Sequence, residues 1–200
     1  MKIIAAEVTA MFLIAELVVL LTTNLILTQA LGTSTLFIAA GSKKNLLWTA
    51  ITITFFTTVG SAAAYFINKL LPPSMGDFRL LLYSLAIGIL YVLLLSALYF
   101  ADKKNFEITR KYIHVSVFNC AVMGTLFIVS DRAAVYPAIS SLGGFMIAGA
   151  EAGTGFILAA FILMAAFRRL CSKEVPAAFR GFPSMLVYLG IISMAVYALT

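Results

Sequence analysis

The stretch Asn119-Cys120-Ala121-Val122-Met123-Gly124 sets an amide and a thiol inside an apolar segment long enough to cross a membrane. An amide in hydrocarbon needs hydrogen-bonding partners, because water is not there to supply them. A thiol in the same place is either apolar filler or a ligand. Working outward, the run that holds both is Tyr112–Ser130, bounded by Arg110 and Lys111 on one side and by Asp131 and Arg132 on the other. A bilayer-spanning helix takes about 20 such residues. Five further runs read the same way: Thr9–Gly41 with Glu16 inside it, Leu46–Ile67, Leu80–Ala101, Ala133–Phe167 with Glu151 inside it, and Phe182–Thr200. Composition agrees. The chain is 62% hydrophobic and 11% charged, against about 25% charged in soluble domains, and its mean hydropathy is +1.06.

The net charge of +6 does not point to nucleic acid, because the basic residues sit in short loops between apolar runs. One side of the membrane receives Lys43, Lys44, Lys103, Lys104, Arg110, Lys111, Arg168, Arg169, Lys173 and Arg180. The other receives Lys2, Lys69, Arg79 and Arg132. The richer side is expected to be cytoplasmic, which leaves both termini outside. The two cysteines, Cys120 and Cys171, form no C-x-x-C pair and indicate no disulfide framework. The N-terminal residues lack a small-residue cleavage site after a short apolar stretch and read as a retained helix.

Two runs are too long for one straight helix: residues 9–41 and 133–167. The excess could be interfacial helix or loop, and a broken or re-entrant segment is the reading expected in each. In the fifth run the expected break lies near Glu151, where Gly143, Gly144, Gly149, Gly153 and Gly155 crowd together; close helix approach is the other use of such glycines. Six spans divide into three plus three, and an odd number per half makes the halves run oppositely. The fold class expected is therefore an all-α integral membrane protein, six helices in a 3+3 inverted repeat. It forms a single transmembrane domain over 1–200 with pseudo-repeats at about 1–101 and 102–200. Two registers for the repeat compete. Thr35-Leu36-Phe37-Ile38 recurs as Thr125-Leu126-Phe127-Ile128, and Asn24 pairs with Asn119.

Three stretches now resemble a known family, the small six-helix membrane subunits of Rnf and Nqr complexes. Asn119-Cys120-Ala121-Val122-Met123-Gly124 is similar to their T-N-C-A-x-x-G segment. Val175-Pro176-Ala177-Ala178-Phe179-Arg180-Gly181 is similar to their V-P-x-x-[FL]-R-G loop and points to the RnfA/NqrE branch. Asn24 through Leu31-Gly32, followed by Ser42-Lys43-Lys44, resembles their N-x7-L-G…S-K-K pattern. The resemblance implies membership of an ion-translocating electron-transport complex in a prokaryotic inner membrane, linked to ferredoxin or NADH. It also implies a homologous, oppositely oriented RnfE/NqrD-like partner and a shared [2Fe–2S] cluster, to which each partner gives two cysteines.

The chain departs from that pattern after Leu31-Gly32, where the family has its first-helix cysteine and this sequence has none. Ser34 is the nearest replacement, and a hydroxyl is a poor iron ligand beside a thiolate. Cys120 is thus the one candidate metal and cofactor ligand, with Asn119 beside it. Glu151 and Glu16 are the candidates for an ion path, since intramembrane carboxylates are expensive to bury; a carboxyl near the interface is the plain alternative. Asn24, Arg180 and Gly181 are expected to serve structure or interfaces, and His114 to be a satisfied interfacial histidine. No nucleotide-binding loop or nucleophile–base pair stands out, so the chain alone is not expected to be an enzyme. Two rival functions remain open at this point: a stand-alone secondary transporter and a structural paralogue without a cluster.

Overall fold

A computed structural model describes residues 11, 15, 17–101, 103 and 106–198. Glu16 and the N-terminal stretch read as a retained helix lie outside the described residues. Among the described residues all regular structure is helical. The elements are α1 (17–22), α2 (Leu25–Gln29), α3 (Thr33–Ala40), α4 (Lys43–Leu70), α5 (Arg79–Ala101), α6 (Phe106–Val117), α7 (Cys120–Val135), α8 (Leu142–Leu170) and α9 (Phe182–Tyr197). Short 3₁₀ turns, Pro73–Phe78 and Pro137–Ile139, lead into α5 and towards α8.

Three of these helices, α4, α5 and α8, are each long and apolar enough to cross a membrane alone. Two more spans arise if each of two bent pairs counts as one. The first pair, Leu17–Gln29 with Thr33–Ala40, turns through 107°. The break comes where Ala30 (φ 56°) and Gly32 (φ 85°) both take the left-handed conformation, which ends a right-handed helix. The second pair, Thr109–Val117 with Cys120–Val135, bends by 47° at Phe118 and Asn119. The bend in the first run matches expectation, whereas the bend in the fourth was not foreseen.

The fifth run corrects the expectation of a break. Its surplus residues belong to the end of α7 and to the 3₁₀ turn at Pro137, and α8 then runs unbroken past Glu151. Ser141 caps its start by accepting from the Gly144 amide at 3.1 Å. The glycines serve close packing instead. A Cβ on Gly149 would lie 2.4 Å from the Thr57 carbonyl oxygen, and one on Gly153 would lie 2.7 Å from the Thr54 Cα. Each glycine weakens the helix by roughly 1 kcal/mol relative to alanine. The contact they allow between the α4 and α8 backbones is what membrane helices use for association in place of a hydrophobic driving force.

The α4–α8 pair is the centre of the molecule, and two apolar cores flank it. One gathers Ile26, Leu36 and Phe37 with Ile53, Phe156, Leu163 and Leu189, so that α2, α3 and α9 pack on one side. The other gathers Phe56, Tyr83, Ile87, Ile113, Val122, Leu126 and Phe145, bringing α5, α6 and α7 to the opposite side. Helix α5 leaves Leu81, Leu85, Ile89, Val92 and Leu93 exposed along its outer face.

Candidate functional site

The motif that decided the fold lies where the two bent spans meet. Asn119 is the N-cap of α7: its side-chain oxygen accepts from the Ala121 amide at 3.2 Å. This is the ordinary role of asparagine at a helix start, here exercised inside an apolar span. The cap aims Cys120 at the first break, and its Sγ accepts a hydrogen bond from the Gly32 amide at 3.0 Å. The thiol is itself exposed, while Gly32 and Asn119 are buried. The rest of the motif makes room for this contact. A Cβ on Gly32 would lie 2.7 Å from the Ala121 Cβ, and one on Gly124 would lie 2.4 Å from Leu31 Cδ1. The turn at residues 30–32 is therefore seated on the first turns of α7 by two glycines, one on each side of the contact.

The backbone donor at Gly32 is the functional group that residue-type reasoning overlooked, because a main-chain amide has no letter in a sequence. Its hydrogen bond fixes where the sulfur points. The Asn119 Nδ2 atom is buried with no hydrogen-bond partner, while its Oδ1 also faces the Cys120 thiol at 3.4 Å.

The residues do not fit the two-cysteine share of a [2Fe–2S] cluster that the family resemblance implies. Such a cluster takes four ligands, normally thiolates. This chain brings one thiol to the site. Ser34 is exposed on α3 and makes no hydrogen bond to Cys120. Among the described residues no group of three or more His, Cys, Asp or Glu side chains converges on a metal position. Cys171 plays a different part: it is the C-cap of α8, its amide bonded to the Phe167 carbonyl at 3.1 Å.

The other predicted residues divide. Asn24 is buried and caps α2, its Oδ1 accepting from the Ile26 amide at 3.0 Å while its Nδ2 donates to the Gly155 carbonyl at 2.7 Å. Glu151 lines a narrow cleft of about 20 Å³, room for a water molecule, together with Asn24, Thr23, Thr125 and Arg132. No ion pair joins Glu151 to Arg132 among the described residues. Arg180 closes its own loop by donating from Nη2 to the Lys173 and Val175 carbonyls, both at 3.1 Å. Gly181 has φ 86° and ψ −121° and starts α9, a conformation open to glycine. Both are thus parts of the α8–α9 turn. His114 is satisfied as expected. Nε2 accepts from Arg110 Nε at 3.0 Å, which leaves the ring proton on Nδ1, 2.5 Å from the Tyr91 hydroxyl.

Comparison with known proteins adds to this geometry. The profile of the family described as "Rnf-Nqr subunit, membrane protein" matches residues 11–200. The A component of the ion-translocating oxidoreductase complex of Rhodobacter capsulatus is 27% identical over 186 residues, covering 92% of this chain and 93% of the relative. The protein of the same description from Pseudoalteromonas atlantica is 24% identical over 193 residues, covering 94% and 96%. The A component of the Na(+)-translocating ferredoxin:NAD(+) oxidoreductase complex of Acetobacterium woodii is 24% identical over 174 residues, covering 86% and 88%. All three relatives are A components, the branch to which the Val175–Gly181 loop points. With the match running along nearly the whole chain, and with the asparagine-capped break and its thiol in the place the resemblance gives them, this chain belongs to the Rnf-Nqr family of membrane subunits.

Proposed function

We propose that this chain is a membrane subunit of an Rnf-type ion-translocating oxidoreductase complex. It forms one half of the intramembrane core against a homologous six-helix protein of RnfE/NqrD type and opposite orientation. The observation that carries this reading is the exposed Cys120 thiol at the junction of two broken spans, held by the Gly32 amide. A thiol fixed there by the backbone faces outward, towards a partner, rather than into this chain's own core.

The packing supports six spans in an inverted repeat. Counting the two bent pairs and α9, the first span packs with the sixth and the third with the fourth, on opposite sides of the central second and fifth. A pseudo-twofold axis that exchanges first with fourth, second with fifth and third with sixth maps this arrangement onto itself. Asn24 and Asn119, each capping a helix within an apolar run, favour their own register over that of Thr35–Ile38 and Thr125–Ile128. The 16 residues of α9 extend about 24 Å at 1.5 Å per residue, short of a full hydrocarbon core. The loop charges favour both termini outside, and the relatives favour a prokaryotic inner membrane. Glu151, and Glu16 in the undescribed segment, are the carboxylates available to an ion route, with ferredoxin or NADH as the ultimate electron source.

A second reading has its own observation. The first-helix position holds Ser34, exposed and unlinked to the thiol, so a structural half-core without a cluster fits the donor set at least as well as a cluster-bearing one. Electron paramagnetic resonance and iron analysis on the chain purified with its co-purifying partners separate the two. A reducible [2Fe–2S] signal altered by Cys120→Ser makes Cys120 a ligand. Intact partners with no iron, and no change in the variant, leave the structural reading. Failure to recover any homologous six-helix partner would overturn the core assignment itself.

A further inference from the structure

A second polar cavity lies at the end of the bundle where α4 gives way to α5 and α7 to α8. Its volume is about 340 Å³, inside the range of roughly 300–1,000 Å³ typical of small-ligand sites. Tyr65, Asn68, Lys69, Arg79, Ser130 and Phe145 line it. Its inner wall is a cluster of polar side chains. The Tyr83 hydroxyl donates to Asn68 Oδ1 at 2.7 Å and lies 2.8 Å from Ser130 Oγ, and Asn68 Nδ2 donates to Ser130 Oγ at 2.8 Å. Tyr83 and Ser130 are both buried, so the wall is rigid.

The donors and acceptors around the cavity do not balance. The Asn68 carbonyl is taken by Tyr83, and the hydroxyl proton of Ser140, also at the cavity, goes to the Pro137 carbonyl at 2.7 Å. What remains is mostly donors. Asn68 has a second amide hydrogen, Lys69 has an ammonium group with no accepting atom, and Arg79 Nε is buried with no partner. Among the described residues no carboxylate lines the cavity. Asp131 reaches Arg79 at 3.9 Å from a side chain that is 74% exposed, a surface pair of little strength. Two cations and a spare amide hydrogen favour an anion that accepts several hydrogen bonds at once.

We propose that this cavity binds a phosphate oxyanion. Tyr65 and Phe145 make one wall apolar, and the outer face of α5 beside it is apolar along its length. A phospholipid headgroup, with its acyl chains laid along α5, presents such an oxyanion; free phosphate is the other source. A guanidinium and an ammonium match phosphate oxygens through charge-assisted bonds, the stronger kind.

The test uses the full chain in detergent with the membrane partners that co-purify. Three probes are titrated: dihexanoyl phosphatidylglycerol, inorganic phosphate, and dihexanoylglycerol, which has no phosphate. Binding is read by native mass spectrometry and by the shift in apparent melting temperature. Wild type is expected to bind phosphatidylglycerol above dihexanoylglycerol, and Lys69→Gln with Arg79→Gln to weaken it at least about tenfold. Lys69→Gln alone, at an exposed side chain that carries no part of the fold, is expected to weaken it in the same direction and decides the matter if the double variant fails to fold. Lys173→Gln, in the α8–α9 loop, is expected to change nothing. Competition by inorganic phosphate at equal strength assigns the site to free phosphate, and its absence assigns it to lipid. Binding of neither phosphate compound above dihexanoylglycerol, or equal weakening by Lys173→Gln, overturns the proposal.

Discussion

Asn24, one short helix before the first break, and Asn119, at the second, each cap a helix inside an apolar span, yet their surroundings differ. Both polar atoms of the Asn24 amide are engaged, the oxygen on the α2 cap and the nitrogen on the Gly155 carbonyl of α8. Asn119 uses its oxygen in the same way, on the α7 cap, but its buried nitrogen has no partner, and beside it stands an exposed thiol. The Asn24 cap is tied to the central helix pair and is complete within the chain. The second carries a spare buried donor at a surface where a homologous protein is proposed to dock. A saturated polar group marks scaffold, and an unsaturated one marks a place where something is missing.

The comparison breaks most sharply at Gly32, which joins the two regions. Gly32→Ala must hold φ 85° and place a Cβ 2.7 Å from Ala121. Left-handed strain of about 1–2 kcal/mol and overpacking of about 1–3 kcal/mol predict a loss of about 2–5 kcal/mol, read as a lower apparent melting temperature in detergent. An unchanged midpoint would mean that the turn is not seated on α7.

Asn24→Asp and Asn119→Asp form a matched pair. Both keep the capping oxygen and both bury an acid, but only the first sets an oxygen against the Gly155 carbonyl. Asn24→Asp is expected to be the more destabilising by about 1–3 kcal/mol, the penalty for losing a buried donor that was in use. Equal melting temperatures for the two would erase the distinction drawn between the breaks. Gly124→Ala meets only the flexible end of Leu31 and should lower stability by about 1–2 kcal/mol, at the mild end of overpacking. Cys120→Ala leaves the Gly32 amide without its weak sulfur acceptor and is expected to cost about 1 kcal/mol, the low end of the range for an unsatisfied donor. A much larger fall would make the thiol a structural anchor rather than a group presented to a partner.

Much of the scaffold was legible in the residues. Runs of apolar residues bounded by charge located α4, α5 and α9 to within a few positions, because hydrocarbon admits little but helix. The amide at Asn119 caps an interruption that was not foreseen in its run; the run-length argument placed the second break in residues 133–167 instead. The glycines around Glu151 misled for a physical reason: in water-like contexts they loosen a helix, but against α4 the missing side chains let two backbones touch. A sequence shows that a side chain is absent and is silent on what fills the space.

By itself, then, the sequence determined the solvent this chain lives in, the helices that solvent demands, the family, and the lack of a second thiolate after Leu31-Gly32. Those depend on composition and on local order along the chain. Only the tertiary structure decided that the Gly32 amide points at Cys120, that Asn24 is saturated where Asn119 is not, and that Lys69 and Arg79 face one cavity with no carboxylate among the described residues to match them. Each of these is a distance between residues far apart in the chain, set by how α4 and α8 pack and by the angles at two breaks, and such distances are written in no single stretch of residues.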